Sequence, residues 1–275
     1  MKKLVRFDWA AKKLLRSKAN FGILEGFLSE VLKEDIRIEH ILESEGNKDS
    51  YDDKYNRVDL LVKNSHEELI IIEVQIEDQI DYFQRIFYGI SKVTTEYIKE
   101  SEEYSKIKKV ISISILYFDL GQGGDYVYHG RTNFVGIHDR KELKLSPKQK
   151  KEFRKTHLFE LLPEYYLIKV NQFNDLAKDP LDEWIYFLKN EEIKKEFNAK
   201  GLREAKKKLD VLKLPEKERK TYERFMESVR DKNSFHLSTF VQGHKKGLEQ
   251  GIEQALKKMI QSGISEDEAR KILGI

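Results

Sequence analysis

Apolar residues recur close to a 3.6-residue period over residues 7–33: Phe7, Ala10, Leu14 and Leu15, then Phe21, Leu24, Phe27, Leu28, Val31 and Leu32. That spacing predicts helix, divided in two by Asn20-Phe21-Gly22. Ile36-Arg37-Ile38 opens an extended segment, and the polar run Glu45–Asp53 reads as a turn or loop. Arg57–Val62 and Leu69–Gln75 are short runs rich in Val, Ile and Leu around a polar turn over Lys63–Glu68, the signature of paired strands. A helical period returns from Ile80 to about Glu102, through Tyr82, Phe83, Ile86, Phe87, Ile90, Val93 and Tyr97. Val110–Phe118 (VISISILYF) is a run rich in β-branched and aromatic residues and predicts a central strand. Tyr126–His129 and Asn133–Ile137 are further extended segments across a turn with Gly121, Gly123 and Gly124. Leu158–Phe159 and Tyr165–Val170 predict at least one more strand.

Helical patterns dominate from Pro180 onward, with Pro215 breaking them. Acids and bases alternate over residues 189–233, which reads as a solvated helical hairpin rather than a nucleic-acid patch. Near the end, Gly243, Gly247 and Gly251 stand four apart. A helix over Ile252–Gln261 follows, Gly263 stops it, and Ser265 with Glu268 caps another. The order predicts three regions: a mixed α/β domain over 1–175, a charged helical region over 176–240, and a Gly-spaced helical tail over 241–275. The tail resembles the first part of a helix-turn-helix, with SEDEARKILGI like its second helix and without the recognition helix that would come next, so it is expected to serve oligomerisation or partner docking.

Two acids interrupt strands that otherwise read as buried, Asp59 in RVDLLV and Glu73 in IIIEVQ. Side chains alternate faces along a strand, and a tight turn would set Asp59 opposite Glu73, with Gln75 on the same face as Glu73. Three oxygen-bearing side chains in one cluster suit Mg²⁺ or Mn²⁺. The spacing equally allows both acids to sit at strand ends in water, or to pair with Arg57 and Lys63.

The ordered set of segments resembles a known family. FDWAAKKLL, RVDLLV, IIIEVQ, DYFQRIFYGISKVTTEYI, EYSKIKKVISISILYF and the tail GLEQGIEQALKKMIQSGISEDEARKILGI are similar to the Rpn group of recombination-promoting nucleases. That group is often labelled PD-(D/E)XK family transposases. The resemblance implies a restriction-endonuclease-like α/β core, a central mixed sheet flanked by helices, with a helical C-terminal region. It implies a Mg²⁺-dependent (or Mn²⁺-dependent) DNA endonuclease linked to recombination or transposition, with Asp59 and Glu73 as metal ligands. Gln75 would stand where the superfamily usually has lysine, able to hydrogen bond but not to bring charge. Gln84 and Tyr88, four apart on one helical face, resemble a Q-x-x-x-Y element of RecB-like members, and Arg85 becomes a phosphate-binding candidate. Glu25 is a candidate additional acid, since the first core helix sometimes supplies one. The alternative is a degenerate nuclease fold that binds DNA or protein without cutting.

Composition narrows the remaining choices. The 275 residues contain no Cys, which excludes disulfides, a thiol nucleophile and Cys-ligated zinc. Fifty-one basic against 48 acidic residues leave a net charge of +3, giving no bulk electrostatic drive toward nucleic acid. The seven His residues show no metal-ligand spacing. Neither a membrane-length apolar run nor a signal sequence is evident, so a cytoplasmic protein is expected.

Overall fold

The computed structural model describes residues 4–42, 59–98 and 102–275. The predicted loop Glu45–Asp53 and the strand start at Arg57 lie outside the described residues. The chain divides into two compact units, Met1–Leu214 and Pro215–Ile275.

The first unit is built on a six-stranded mixed sheet of order β1-β2-β3-β4-β6-β5. Its strands are β1 (Ile38–Leu42), β2 (Leu60–Asn64), β3 (Leu69–Gln75), β4 (Val110–Leu116), β5 (Val127–Arg131) and β6 (Glu164–Lys169). β1, β2 and β3 form an antiparallel meander, β3, β4 and β6 run parallel, and β5 closes the far edge antiparallel to β6. Parallel central strands are covered on both faces and so read as unbroken apolar runs. Every residue of β4 is accordingly buried.

On one face α3 (Tyr82–Glu96) carries Tyr82, Ile86, Ile90 and Val93 onto Leu61, Leu69, Ile71, Val110 and Leu116. The alternate residues Ile70, Ile72, Ile111, Ile113, Ile115 and Ile168 point the other way and are also buried. The unit further contains α1 (Phe7–Lys13), α2 (Phe21–Leu32), α4 (Pro147–Phe153), α5 (Pro180–Asn190) and α6 (Leu202–Lys208). Phe7, Phe27 and Trp184 pack ring to ring with centroids 5.3–6.4 Å apart, tying α1, α2 and α5 together. α2 meets the start of α6 at two glycines. A Cβ on Gly26 would lie 2.2 Å from the Lys200 carbonyl oxygen, and Gly201 has φ +84°, so a side chain fits at neither position.

The β2–β3 turn sets the register on which the acids depend. Asn64 Oδ1 accepts the backbone N–H of His66 at 3.0 Å and of Glu68 at 2.9 Å, and Asn64 Nδ2 donates to Glu68 Oε2 at 2.9 Å. Glu67 takes φ +67° inside that turn. Lys63 then pairs with Leu69 and Leu60 with Ile72. One more step along this register sets Asp59 across from Glu73.

Three predicted elements differ. Asn133–Ile137 is not a strand. Among the described residues only a single bridge joins Val135 to Glu142, and Phe134, Val135 and Ile137 are exposed, because the segment closes a local turn on itself: the Gly136 N–H donates to the Lys141 carbonyl and the Leu143 N–H to the Phe134 carbonyl, each at 2.8 Å. Leu158–Phe159 belongs to a 3-10 turn, held where Glu160 Oε2 accepts the N–H groups of Thr156 and His157 at 2.7 and 2.6 Å. The hairpin over 189–233 does not form. α5 ends at Asn190, and buried Ile193, Phe197 and Ala199 pin a non-helical stretch before α6. Residues 176–214 therefore belong to the first compact unit.

The second unit is α7 (Glu216–Gln261), 46 residues long, followed by α8 (Glu266–Leu273). Helix continues through Gly243, Gly247 and Gly251, where glycine costs about 1 kcal/mol each against strong helix formers around them. Gly263, at φ +91°, ends α7, and Ser265 Oγ caps α8 by accepting the Glu268 N–H. Ala269 of α8 is fully buried.

Candidate active site

Asp59 and Glu73 lie at the same end of the sheet, where β2 begins and β3 finishes. Asp59 Oδ2 accepts the Val74 N–H at 2.8 Å, and Arg16 donates to the Asp59 carbonyl at 3.0 Å. The first bond ties the Asp59 carboxylate, at the bend that leads into β2, to the backbone of β3 one residue beyond Glu73.

Glu73 is only 7% exposed, and α3 supplies its neighbours. The Tyr82 hydroxyl donates to Glu73 Oε2 at 3.2 Å, and Arg85 Nε lies 3.7 Å from the same oxygen. Burial, followed by the Glu73 carboxylate, pushes the Tyr82 phenol well above its ordinary range, partly offset by Ser114 and Arg85. Tyr82 is therefore a fixed O–H donor. Ser114 of β4 stands beside Glu73 in the parallel register and is itself buried. Gln75 follows on the same face, half-buried, its Nε2 donating to the Glu77 carbonyl at 3.2 Å.

The other predicted residues are placed differently. Arg85 turns inward to Glu73 and donates through Nη1 to Gln79 Oε1 at 3.2 Å. Gln84 and Tyr88 share the exposed side of α3, with Tyr88 39% exposed. Glu25 is not brought to the acid pair: its Oε1 accepts the Ile38 N–H at 2.9 Å, and Arg37 lies 3.7 Å from Oε2. Ile38 pairs with Asn64, five residues along β2 from Asp59, or roughly 16 Å. There Glu25 fastens α2 to the sheet edge.

The chemistry of the Asp59–Glu73 pair fits a hard divalent cation. Carboxylate oxygens at one end of a rigid sheet, with a carboxamide alongside, are the donors Mg²⁺ and Mn²⁺ take. A second oxygen- and nitrogen-bearing group escaped the sequence reading. Glu34, His66 and Glu68 each present a ligand atom within 4.8 Å of the others, beside a cavity of about 350 Å³ that also borders Lys109 and Lys155. It lies at the opposite end of β2 and β3. Glu68 there is already bound by Asn64 and paired with Lys155 at 3.7 Å. No spacing signal reveals this group, because Glu34 reaches it from a separate element. Tyr82 was legible only as an apolar helix position, since a tyrosine on a core-facing stripe gives no sign of which carboxylate its hydroxyl meets.

Comparison with known proteins adds one finding. A family model described as PD-(D/E)XK nuclease family transposase matches residues 5–237. No curated protein and no solved structure gives a match.

Proposed function

The chain belongs to the PD-(D/E)XK nuclease family transposases, and from that membership we propose that it is a divalent-metal-dependent DNA endonuclease with Asp59 and Glu73 as the metal-holding pair. The observation that carries the reading is the bond from Val74 N–H to Asp59 Oδ2, at the register step that sets Asp59 across from Glu73. A bound Mg²⁺ or Mn²⁺ would supply Lewis acidity and an activated water at the scissile phosphate.

The residues around the pair have separate work. Tyr82 and Arg85 hold Glu73 in one orientation, which preorganises the site and lessens the cost of burying its charge. Gln75 orients a water or phosphate oxygen by hydrogen bonding and adds no charge. Arg85 is a positioning residue in this state; a phosphate entering beside Glu73 would compete for its guanidinium. DNA is the substrate, and recombination or transposition the setting, that membership in this family favours. Self-association through the C-terminal helices is part of the same proposal.

Nicking of supercoiled plasmid tests it. Wild-type protein is expected to cut with Mg²⁺ or Mn²⁺ and not in EDTA. Asp59→Asn and Glu73→Gln should each lose about a hundredfold or more, the scale set by removing several kcal/mol of transition-state stabilisation. Cutting that persists in both variants would overturn the assignment.

A further inference from the structure

Lys169 closes β6 and is 1% exposed, so its whole ammonium side chain lies inside the protein. Its Nζ has no hydrogen-bond partner among the described residues. The Tyr128 ring centroid is 5.7 Å away, at the outer range of a useful cation–π contact. Burying an ammonium is costly unless an anion joins it, and one distant ring offsets only part of that cost.

The position of this lysine gives the cost a purpose. Lys169 pairs with Leu116, and Leu116 with Gln75, so the three form one row across the carboxyl ends of β6, β4 and β3. They share the face that carries Glu73. Two strand spacings, roughly 10 Å, separate Lys169 from Gln75. The carboxyl ends of parallel strands are where ligands of open α/β sheets collect.

The exposed loop 121–125 adjoins this end. A Cβ on Gly123 would meet the Tyr128 hydroxyl at 2.2 Å, and Asp125 N–H donates to that hydroxyl at 3.0 Å. On its other side the loop nears α3, where a Cβ on Gly121 would stand 3.8 Å from Phe83 Cζ. The loop thus bridges the helix that carries Arg85 and the ring beside Lys169.

We propose that Lys169, with Tyr128 beside it at the 121–125 loop, binds a backbone phosphate of the DNA strand a few nucleotides from the bond held at Asp59 and Glu73. The phosphate is the anion the buried ammonium lacks, and displacement of the glycine-rich loop admits it. The identity of the anion as DNA rests on the nuclease reading; the demand for an anion rests on Lys169 alone.

The test compares the full-length chain with its Lys169→Met variant, which keeps much of the side-chain volume and removes the charge. Binding of a fluorescein-labelled duplex is followed by anisotropy in EDTA over a series of salt concentrations, and both proteins are melted without DNA. The slope of log K against log salt should be smaller by about 0.9 in the variant, one phosphate contact fewer. The free variant should melt at the same temperature or higher, since an uncompensated charge is gone. An unchanged slope, a lower melting temperature in the variant, or no duplex binding by wild type would each overturn the proposal. Inorganic phosphate is the second arm: if it raises the wild-type melting temperature alone while the duplex slope stays unchanged, the site takes a free anion and the DNA assignment falls. Cleavage plays no part in EDTA, so a wild-type protein that fails to cut with Mg²⁺ would sink the nuclease reading without deciding this result.

Discussion

At the scale of single residues, the candidate site is a contest between burial and charge. Glu73 sits in a strand whose side chains are apolar but for its own and that of Gln75, and it is tolerated there because Tyr82 donates to it and Arg85 lies beside it. Removing only the hydroxyl isolates the positioning effect. Tyr82→Phe should leave the fold intact and lower the cleavage rate roughly tenfold, about the effect of one hydrogen bond of ~1–1.5 kcal/mol. A plasmid-nicking time course beside a thermal melt checks both halves, and an unchanged rate would show that Glu73 needs no such support. The acids themselves were legible in the sequence, because a carboxylate inside an apolar strand is conspicuous. Their supports were not. Arg85 read as a phosphate-binding candidate and lies beside Glu73, while Glu25 read as a candidate additional acid and accepts the Ile38 N–H. Sequence shows that a group is charged, but its partner depends on a packing angle between elements that periodicity does not contain.

At the scale of elements, β3 and β4 were plain from their density of Ile, Val and Leu, as parallel strands covered on both faces should be. α3 was plain from its period, with Ile86, Ile90 and Val93 on the buried stripe. The edges were less plain. Asn133–Ile137 has strand composition and bonds to Lys141 and Leu143 rather than to the sheet edge, and pairing is a property of the fold rather than of the segment. Lys169 shows the same limit: within Tyr165–Val170 it read as one more strand residue, and only the pairing Lys169–Leu116–Gln75 brings it into the row beside the acids. The turn Asn64–Glu68 carries the largest consequence for its size, because its hydrogen bonds fix the register of β2 on β3, and slippage by one residue would turn Asp59 to the other face. Asn64→Ala removes bonds to the N–H groups of His66 and Glu68 and to the Glu68 carboxylate. It should destabilise the first unit by about 1–3 kcal/mol, read as a lower urea midpoint at unchanged m-value.

At the scale of the whole molecule, the chain resolves into a sheet-based unit that holds both acids and a helical unit of a different character. α7 runs for 46 residues, about 69 Å at 1.5 Å per residue. It exposes Phe235, Leu237, Phe240, Val241 and Leu248, and the Cβ positions of Gly243, Gly247 and Gly251 have nothing within 4 Å. Apolar side chains interleaved with small ones on a long helix favour burial against another helix. Full-length protein is accordingly expected to run as an oligomer in light scattering coupled to size exclusion, and deletion of residues 240–275 should lower its mass toward the monomer. Equal subunit numbers before and after the deletion would remove the helices from that role. The continuity of α7 was hidden in the sequence, because three glycines at intervals of four look like punctuation and are outweighed by their neighbours. No described helix is long and apolar enough to cross a membrane.

The central claim is that the pair at the β2 start and β3 end, rather than the Glu34–His66–Glu68 group, is where a divalent cation binds for phosphodiester cleavage. Titration of Mn²⁺ followed by electron paramagnetic resonance tests this most directly, run in parallel with nicking on wild type, Asp59→Asn, Glu73→Gln and Glu34→Gln. The account predicts that binding and cutting disappear together in the Asp59 and Glu73 variants and survive in Glu34→Gln. Mn²⁺ binding and cutting that vanish with Glu34→Gln and persist without Asp59 or Glu73 would contradict it.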